Sequence, residues 1–187
     1  MKKVIVLYGL PAAGKTTQAE LLAKKYGYYQ FGMGDRLRAE INSGSELGAK
    51  IQATVASGLL VSDELIAGVL HNIQGPAQET GIIFDGFPRM TPQAELLDKI
   101  VAEVGLKVDL FILLDITTEE AEKRIATRAV LTGRADDKDK AVVSNRLDVF
   151  RKESQPLIER YTAQGSFVEI DGSQAIEKVF ADIAKYL

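Results

Sequence analysis

The stretch VIVLYGLPAAGKT, residues 4–16, joins a short apolar run to a glycine-rich loop that ends in lysine and threonine. Residues 9–16 match the pattern G-x-x-x-x-G-K-[ST], which requires a strand before the loop and a helix after it. Glycines let successive backbone N–H groups point into one hollow, and the helix that starts near Lys15 adds the positive end of its dipole. Together with the Lys15 ammonium, the loop predicts a binding site for a polyphosphate.

Strand and helix patterns alternate along the whole chain, which predicts the α/β class: a parallel five-stranded sheet with helices on both faces. The predicted strands cover residues 4–8, 28–31, 82–84, 108–114 and 167–170. Ligands of such sheets bind beyond the carboxyl ends of the strands. Gly9, Asp85 and Asp171 are expected at that edge.

Three local expectations concern segments away from the loop. Residues 132–139 are polar, charged and without periodicity, so we expect a short mobile loop there. Ser173 is expected to cap the last helix, with Ile176 among the residues that face the core. His71, the only histidine, follows the apolar stripe of a predicted helix, and we interpret it as structural.

Composition excludes several classes of protein. The net charge of -3 argues against a sequence-independent grip on nucleic acid, and the absence of cysteine excludes disulfides, thiol catalysis and cysteine-based zinc sites. The apolar run after Met1-Lys2-Lys3 is too short for a secretion signal, and no segment approaches the roughly 20 apolar residues of a membrane span. We therefore expect a cytoplasmic protein with neither nucleic acid nor membrane as a partner.

Several segments resemble adenylate kinases, and they occur in the order and spacing of that family. They are GLPAAGKTTQ at 9–18, GMGDRLR at 32–38, GLLVSDEL at 58–65, DGFPR at 85–89 followed by Gln93, and TGRADD at 132–137 followed by Arg146. The resemblance covers essentially the whole chain. It implies a P-loop NTPase-type fold with a helical insert that binds the nucleoside monophosphate (NMP) and a short lid. The implied single kinase domain, 1–187, has its core at 1–31, 62–128 and 140–187, the insert at 32–61 and the lid at 129–139.

The resemblance implies reversible phosphoryl transfer, MgATP + AMP = 2 ADP, by a monomer whose partners are ATP, AMP and ADP. It also implies Mg²⁺ as the metal ion, with ATP as co-substrate. The acceptor oxygen in such a reaction is already an anionic phosphate, so no general base is needed and the protein positions and neutralises charge. Arginine suits that task because it stays charged and offers a planar fork of donors.

Site residues follow from the same resemblance. The implied catalytic residues are Lys15, Arg38, Arg89, Arg124, Arg134 and Arg146. The implied ATP contacts are Ala12, Ala13, Gly14, Lys15, Thr16, Thr17, Arg128 and Gln174. The implied AMP contacts are Met33, Arg38, Leu59, Leu60, Val61, Gly86, Phe87, Pro88, Arg89, Gln93, Arg134 and Arg146.

Two oxygen-bearing side chains are candidates for holding Mg²⁺. Asp85 ends a buried strand that faces the loop, where an acidic partner of the metal is expected to act through bound water. Thr16 places a hydroxyl where other phosphate loops contact the metal, and we predict that it does so here. Asp35 is a further acidic candidate. Family members usually have glycine at Thr16 and at Ala12, and a β-carbon at Ala12 narrows the loop.

The acceptor base is the least determined part of the expected substrate. Met33 stands where adenylate kinases usually have threonine, so selection of the base must depend on Gln93, whose amide can pair with the amino edge of adenine. UMP and CMP kinases resemble this chain too, but they usually have asparagine at the Gln93 position. Two further alternatives are a catalytically silent nucleotide-binding regulatory module and a kinase for a small non-nucleotide acceptor.

Overall fold

The structure is a computed structural model that describes residues 3–56, 61–62, 65–66, 70 and 80–187. The expectations for Leu59, Leu60 and His71 lie outside these residues.

A single all-parallel sheet forms the centre of the fold. Its strands are β1 (Val4–Tyr8), β2 (Tyr29–Gly32), β3 (Ile82–Asp85), β4 (Val108–Asp115) and β5 (Phe167–Asp171), in the spatial order β2-β3-β1-β4-β5. The three inner strands, β3, β1 and β4, are mainly apolar because a parallel sheet is covered on both faces, whereas the edge strands β2 and β5 include Gln30 and Glu169. All of β1 is buried. The predicted fold class and the predicted positions of the strands are confirmed.

Helices cover both faces of this sheet. They are α1 (Lys15–Tyr26), α2 (Met33–Asn42), α3 (Glu46–Ala56), α4 (Thr91–Ala102), α5 (Thr118–Thr132), α6 (Ala135–Lys138), α7 (Lys140–Ala163) and α8 (Ile176–Ala184). The side chains of β1 alternate between two apolar layers: Val6 packs with Leu157 of α7 on one face, and Leu7 packs with Leu22 of α1 on the other. In the part of the chain described, no helix has the length and apolar character that crossing a membrane would require.

Local signals set several helix ends. Gly27 ends α1 with a φ of 76°, and its N–H bonds to the Ala23 carbonyl. The Thr117 hydroxyl accepts the N–H of Glu120 at 3.2 Å and so caps α5, as the sequence T-T-E-E indicates. The Asp139 carboxylate accepts the N–H of Ala141 at 2.8 Å and caps α7.

Three local expectations were wrong. The segment 132–139 contains a helix, α6, rather than only a loop, since ion pairs described below hold it in place. Ser173 does not cap α8, because its hydroxyl and its N–H both bond to the Asp171 carboxylate and Ala175 precedes the helix. Ile176 is 51% exposed because it begins the helix, beyond the part that packs on the sheet.

Candidate active site

A cleft of about 590 Å³ opens at the carboxyl edge of the sheet, where the loop after β1 and the end of β3 meet α2, α5 and α7. The cleft brings together the following predicted site residues: Ala12, Gly14, Lys15, Thr16, Thr17, Met33, Arg38, Val61, Asp85, Gly86, Arg89, Gln93, Arg124, Arg128, Arg134 and Arg146. Four predicted contacts do not line it in this structure: Ala13, Phe87, Pro88 and Gln174. Ala13 and Phe87 are buried in the core instead.

The glycine-rich loop adopts the conformation that its glycines permit. Gly9 has a φ of 143°, and a β-carbon there would lie 2.6 Å from the Leu114 carbonyl oxygen. Gly14 has a φ of 99° and directly precedes α1. Ala12 has a φ of 65° and is the only non-glycine residue with positive φ among those described. The loop therefore requires a left-handed backbone conformation at Ala12, which is energetically unfavourable for a residue with a β-carbon.

The Lys15 side chain folds back over the loop. Its Nζ donates to the carbonyl oxygens of Gly9 at 2.9 Å and Leu10 at 2.8 Å. Desolvation lowers the pKa of Lys15 to about 7; the carboxylate of Asp85 acts in the opposite direction, while Arg89 and other cleft arginines lower it further. A bound anion would relieve this concentration of positive charge.

The two predicted metal-binding side chains are in direct contact. The Thr16 hydroxyl donates to a carboxylate oxygen of Asp85 at 2.5 Å, and Asp85 is buried at the end of β3. The two side chains offer hard oxygen donors beside the phosphate loop, as Mg²⁺ prefers. Asp35, the third candidate, instead pairs with Arg38 on α2. No group of three potential ligand side chains occurs within the described ranges, so these residues fit a metal shared with phosphates and water rather than a cage of protein ligands.

Two cleft arginines bond to the backbone near the loop. Arg89 donates through Nε to the Gly86 carbonyl at 2.7 Å. Arg124 pairs with Glu120 at 2.6 Å and donates to the Gly172 carbonyl at 3.1 Å, which joins α5 to the end of β5. These contacts orient the guanidinium groups towards the carboxyl edge of the sheet, where their remaining donors are available to anions.

Two aspartates of α6 bind three other arginines, and the sequence reasoning gave neither aspartate a role. Asp137 accepts a bidentate pair from Arg128 at 2.7 and 2.9 Å and a further bond from Arg146 at 2.9 Å. Asp136 accepts two bonds from Arg134 and one from Arg146. The motif TGRADD contains a signal that could have indicated this pairing, because Asp136 and Asp137 lie within three residues of Arg134 in the predicted lid.

The Asp137 side chain is fully buried, and its environment keeps it charged. Desolvation by itself would raise its pKa, but the hydrogen bonds from Arg128 and Arg146 outweigh that effect and hold the pKa below its usual value. The Asp137 carboxylate therefore occupies two donors of Arg128 and one of Arg146 in this structure.

The other end of the cleft is apolar. Met33, Leu37, Val61 and Ile66 are buried around it. The Gln93 side chain is 2% exposed; its Oε1 accepts the Arg89 N–H at 2.9 Å, and its Nε2 donates to the Val61 carbonyl at 3.3 Å. These partners fix which end of the amide accepts and which donates, leaving one lone pair and one N–H for a ligand.

Comparison with known proteins gives one family. The family model for adenylate kinase matches residues 7–166. The adenylate kinase of Bacteroides fragilis is 38% identical over 182 residues, covering 97% of this chain and 96% of that protein. That of Phocaeicola vulgatus is 40% identical over 180 residues (96% and 95%), and that of Methanosarcina barkeri is 36% identical over 210 residues (98% and 97%). This chain belongs to the adenylate kinase family.

Proposed function

We propose that this chain transfers the γ-phosphoryl group of ATP reversibly to AMP and forms two ADP. One observation carries the proposal: a phosphate loop, a group of arginines and an apolar end with the buried amide of Gln93 all line one cleft. A phosphate loop alone would support nucleotide binding of any kind. The apolar end of the cleft supports the binding of a second nucleotide, whose base would be buried there while its phosphate pairs with arginines.

Charge neutralisation is the main work of the proposed site. Lys15 and the loop amides hold the donor phosphates, while Arg38 and Arg89 hold the acceptor phosphate. An oxygen of the acceptor phosphate attacks the γ-phosphorus, and the bond from that phosphorus to the bridging oxygen of ADP breaks. No group of the protein needs to remove a proton, since the attacking oxygen is already anionic.

The arginines on the lid side complete the proposed site by binding phosphate through donors that their aspartate partners leave free. Arg128, Arg134 and Arg146 are paired with Asp136 and Asp137 in this structure. Each guanidinium has more donors than these bonds use, so it can meet a phosphate while keeping an aspartate contact. We propose that residues 129–139 act as a lid and 32–61 as the NMP-binding insert. Their closure would exclude water, which otherwise competes as acceptor.

Mg²⁺ belongs to the proposal, and the contact between Thr16 and Asp85 supports its place. When bound, the ion would neutralise charge on the donor phosphates and help to orient them. Thr16 would offer its hydroxyl oxygen, and Asp85 would accept hydrogen bonds from water around the ion. We expect the active unit to be a monomer.

AMP is the acceptor that the pocket supports best. The free lone pair and N–H of Gln93 match the amino group and neighbouring ring nitrogen of adenine. Met33 offers no hydroxyl, so the selection rests on this amide. The alternatives fit less well: a regulatory module would not need the arginines, and a small non-nucleotide acceptor would not need the apolar pocket.

The test is a panel of acceptors, AMP, CMP, UMP and GMP, each with ATP and Mg²⁺. We expect ADP formation with AMP to exceed every other rate by at least tenfold in kcat/KM. A pyrimidine acceptor that reacts faster than AMP would overturn the assignment of the acceptor. If no monophosphate reacts while ATP still binds, the silent regulatory module would replace the kinase.

A further inference from the structure

Tyr8 is the last residue of β1 and stands directly before the phosphate loop. It is 4% exposed, and the small accessible part of the residue opens onto the cleft. Its ring packs between Phe111 at 5.1 Å and Phe150 at 5.2 Å between ring centroids. The aromatic neighbours hold the ring from both β4 and α7, so its position is set by the core rather than by a ligand.

The hydroxyl group of Tyr8 has no hydrogen-bond partner among the residues that the structure describes. Unlike the Tyr161 hydroxyl, it is not sealed from solvent, so it is available to water or to a ligand in the cleft. Burial raises the pKa of Tyr8, with the positive charge of Arg89 acting in the opposite direction and Glu153 acting with it. The group is therefore a neutral phenol, a hydrogen-bond donor near a cation.

The cation whose charge acts on Tyr8 is Arg89, and the proposed function assigns Arg89 to binding of the acceptor phosphate. Arg89 donates to the Gly86 carbonyl through Nε, which leaves its terminal nitrogens for an anion. In the sheet Leu7 pairs with Asp85, which brings the end of β1 beside the turn at Gly86, and Tyr8 and Arg89 line the same cleft. Phosphate oxygens accept hydrogen bonds strongly because they are charged. The Tyr8 hydroxyl and the Arg89 guanidinium could thus bind the same phosphate group.

We propose that the Tyr8 hydroxyl donates a hydrogen bond to the acceptor phosphate that Arg89 holds, which makes Tyr8 a further substrate-binding residue of this enzyme. The proposal rests on the proposed function, since that function places the acceptor phosphate at Arg89. It also explains why a tyrosine can end a strand whose other residues are aliphatic. A phenylalanine would pack equally well and would leave no unpartnered hydroxyl.

The test compares Tyr8→Phe with a matched variant, Tyr161→Phe. The Tyr161 ring stacks on the same Phe111, at 4.3 Å, and its hydroxyl is buried without a partner, but it does not line the cleft. Both variants remove one oxygen from the same aromatic cluster. Because neither hydroxyl bonds to the described protein, both variants should keep the melting temperature of the wild type or raise it slightly.

We expect Tyr8→Phe to raise the KM for AMP about tenfold, as loss of a hydrogen bond to a charged group does. The kcat and the KM for ATP should stay within about twofold, because a contact made equally in ground and transition states changes only binding. Tyr161→Phe should leave all three constants unchanged. AMP should also raise the melting temperature of Tyr8→Phe less than that of the wild type.

Two results would overturn the inference. An unchanged KM for AMP together with an unchanged thermal shift would show that the hydroxyl does not meet the substrate. Equal effects of the two variants would show that the aromatic cluster acts through packing alone. Wild-type protein that phosphorylates no acceptor would instead contradict the proposed function, so the two failures are distinguishable.

Discussion

The Thr16 hydroxyl donates a 2.5 Å hydrogen bond to the Asp85 carboxylate, which links the first turn of α1 to the carboxyl end of β3. The contact is possible because β3 lies beside β1 in the sheet, although 69 residues separate the two side chains. It places two oxygen donors at the mouth of the phosphate loop.

Replacing Thr16 by valine tests whether that hydroxyl meets the metal. Valine keeps the shape and removes the oxygen, so we expect the Mg²⁺ concentration for half-maximal activity to rise about 10- to 100-fold. The measurement is the rate of ADP formation against free Mg²⁺ at saturating ATP and AMP. Thr127→Val is the control, since the Thr127 hydroxyl donates to the Lys123 carbonyl on the exposed side of α5. An unchanged Mg²⁺ dependence for Thr16→Val would contradict the assignment.

Asp137→Asn tests the aspartate that holds Arg128 and Arg146. The variant keeps the shape of the side chain but removes its charge, which takes away the carboxylate that pairs with Arg128 and one of the two that pair with Arg146. We expect the free energy of unfolding to fall by about 2 kcal/mol, below the range for fully buried pairs because solvent reaches both arginines. Asp148→Asn, which breaks the exposed pair with Arg151, should cost less than about 1 kcal/mol. Urea unfolding measures both.

The loss of unfolding free energy caused by Asp137→Asn should depend on pH, and the sign follows from the lowered pKa of Asp137. Its stabilising contribution is complete above the unfolded-state value of 3.8 and is lost as the pH falls through the lower value of the folded state. The difference in unfolding free energy between wild type and Asp137→Asn should therefore be constant from pH 5 to 8 and shrink below pH 4. A difference that persists unchanged at pH 2 would mean that the charge of Asp137 is not its source.

Lys15 should take up a proton when ATP binds. Its pKa of about 7 leaves the amine largely neutral at pH 8, and the phosphates of the nucleotide favour its charged form. Calorimetry in buffers of different ionisation enthalpy should detect uptake of up to about one proton per chain at pH 8 and much less at pH 6. Lys15→Met should abolish that difference. Equal uptake by the wild type and the variant would show that another group takes the proton.

Without nucleotide, the lowered pKa of Lys15 should affect how the free energy of unfolding depends on pH. Between about pH 7 and 10.5 the unfolded chain holds the Lys15 proton and the folded chain does not. The contribution of Lys15 to the free energy of unfolding therefore increases with pH in that window. In Lys15→Met this slope should be absent.

Ala12→Gly should stabilise the protein. A left-handed alanine costs about 1 to 2 kcal/mol, and glycine costs roughly 0.4 to 1 kcal/mol in the unfolded chain, so we expect a gain of up to about 1 kcal/mol. Ala13→Gly is the matched control, because the neighbouring Ala13 has no positive φ and is 2% exposed. It should lose about 1 kcal/mol. A loss in Ala12→Gly as large as that in Ala13→Gly would contradict this interpretation of the loop.

Local patterns were sufficient for the sheet and for the phosphate loop. The inner strands are mainly apolar runs between turn signals, and the loop motif depends on neighbouring residues alone, so Lys15, Thr16 and Asp85 could be placed from the sequence. The α6 helix could not be predicted, because its four residues have no apolar period. Arginines of α5 and α7 hold it in place, and only the folded chain brings them together.

Tyr8 and Ile176 show that the ends of a strand or helix are harder to predict than its faces. Tyr8 belongs to an apolar run that correctly predicts a strand, but the run does not indicate that its last residue opens onto the cleft. Ile176 continues the apolar stripe of α8, yet the helix begins there and its first residue lies beyond the sheet. Periodicity predicts the face of a helix or strand, whereas the ends depend on what the rest of the fold covers.

The most direct test of the whole account is calorimetric titration with a bisubstrate mimic in which five phosphates join two adenosines. The central claim is that one cleft holds the phosphates of a donor and an acceptor nucleotide together. It predicts that one mimic binds per chain and binds more tightly than ATP or AMP alone, because the second nucleoside adds the contacts of the apolar pocket. Binding no tighter than that of ATP, or no heat on addition, would contradict the claim.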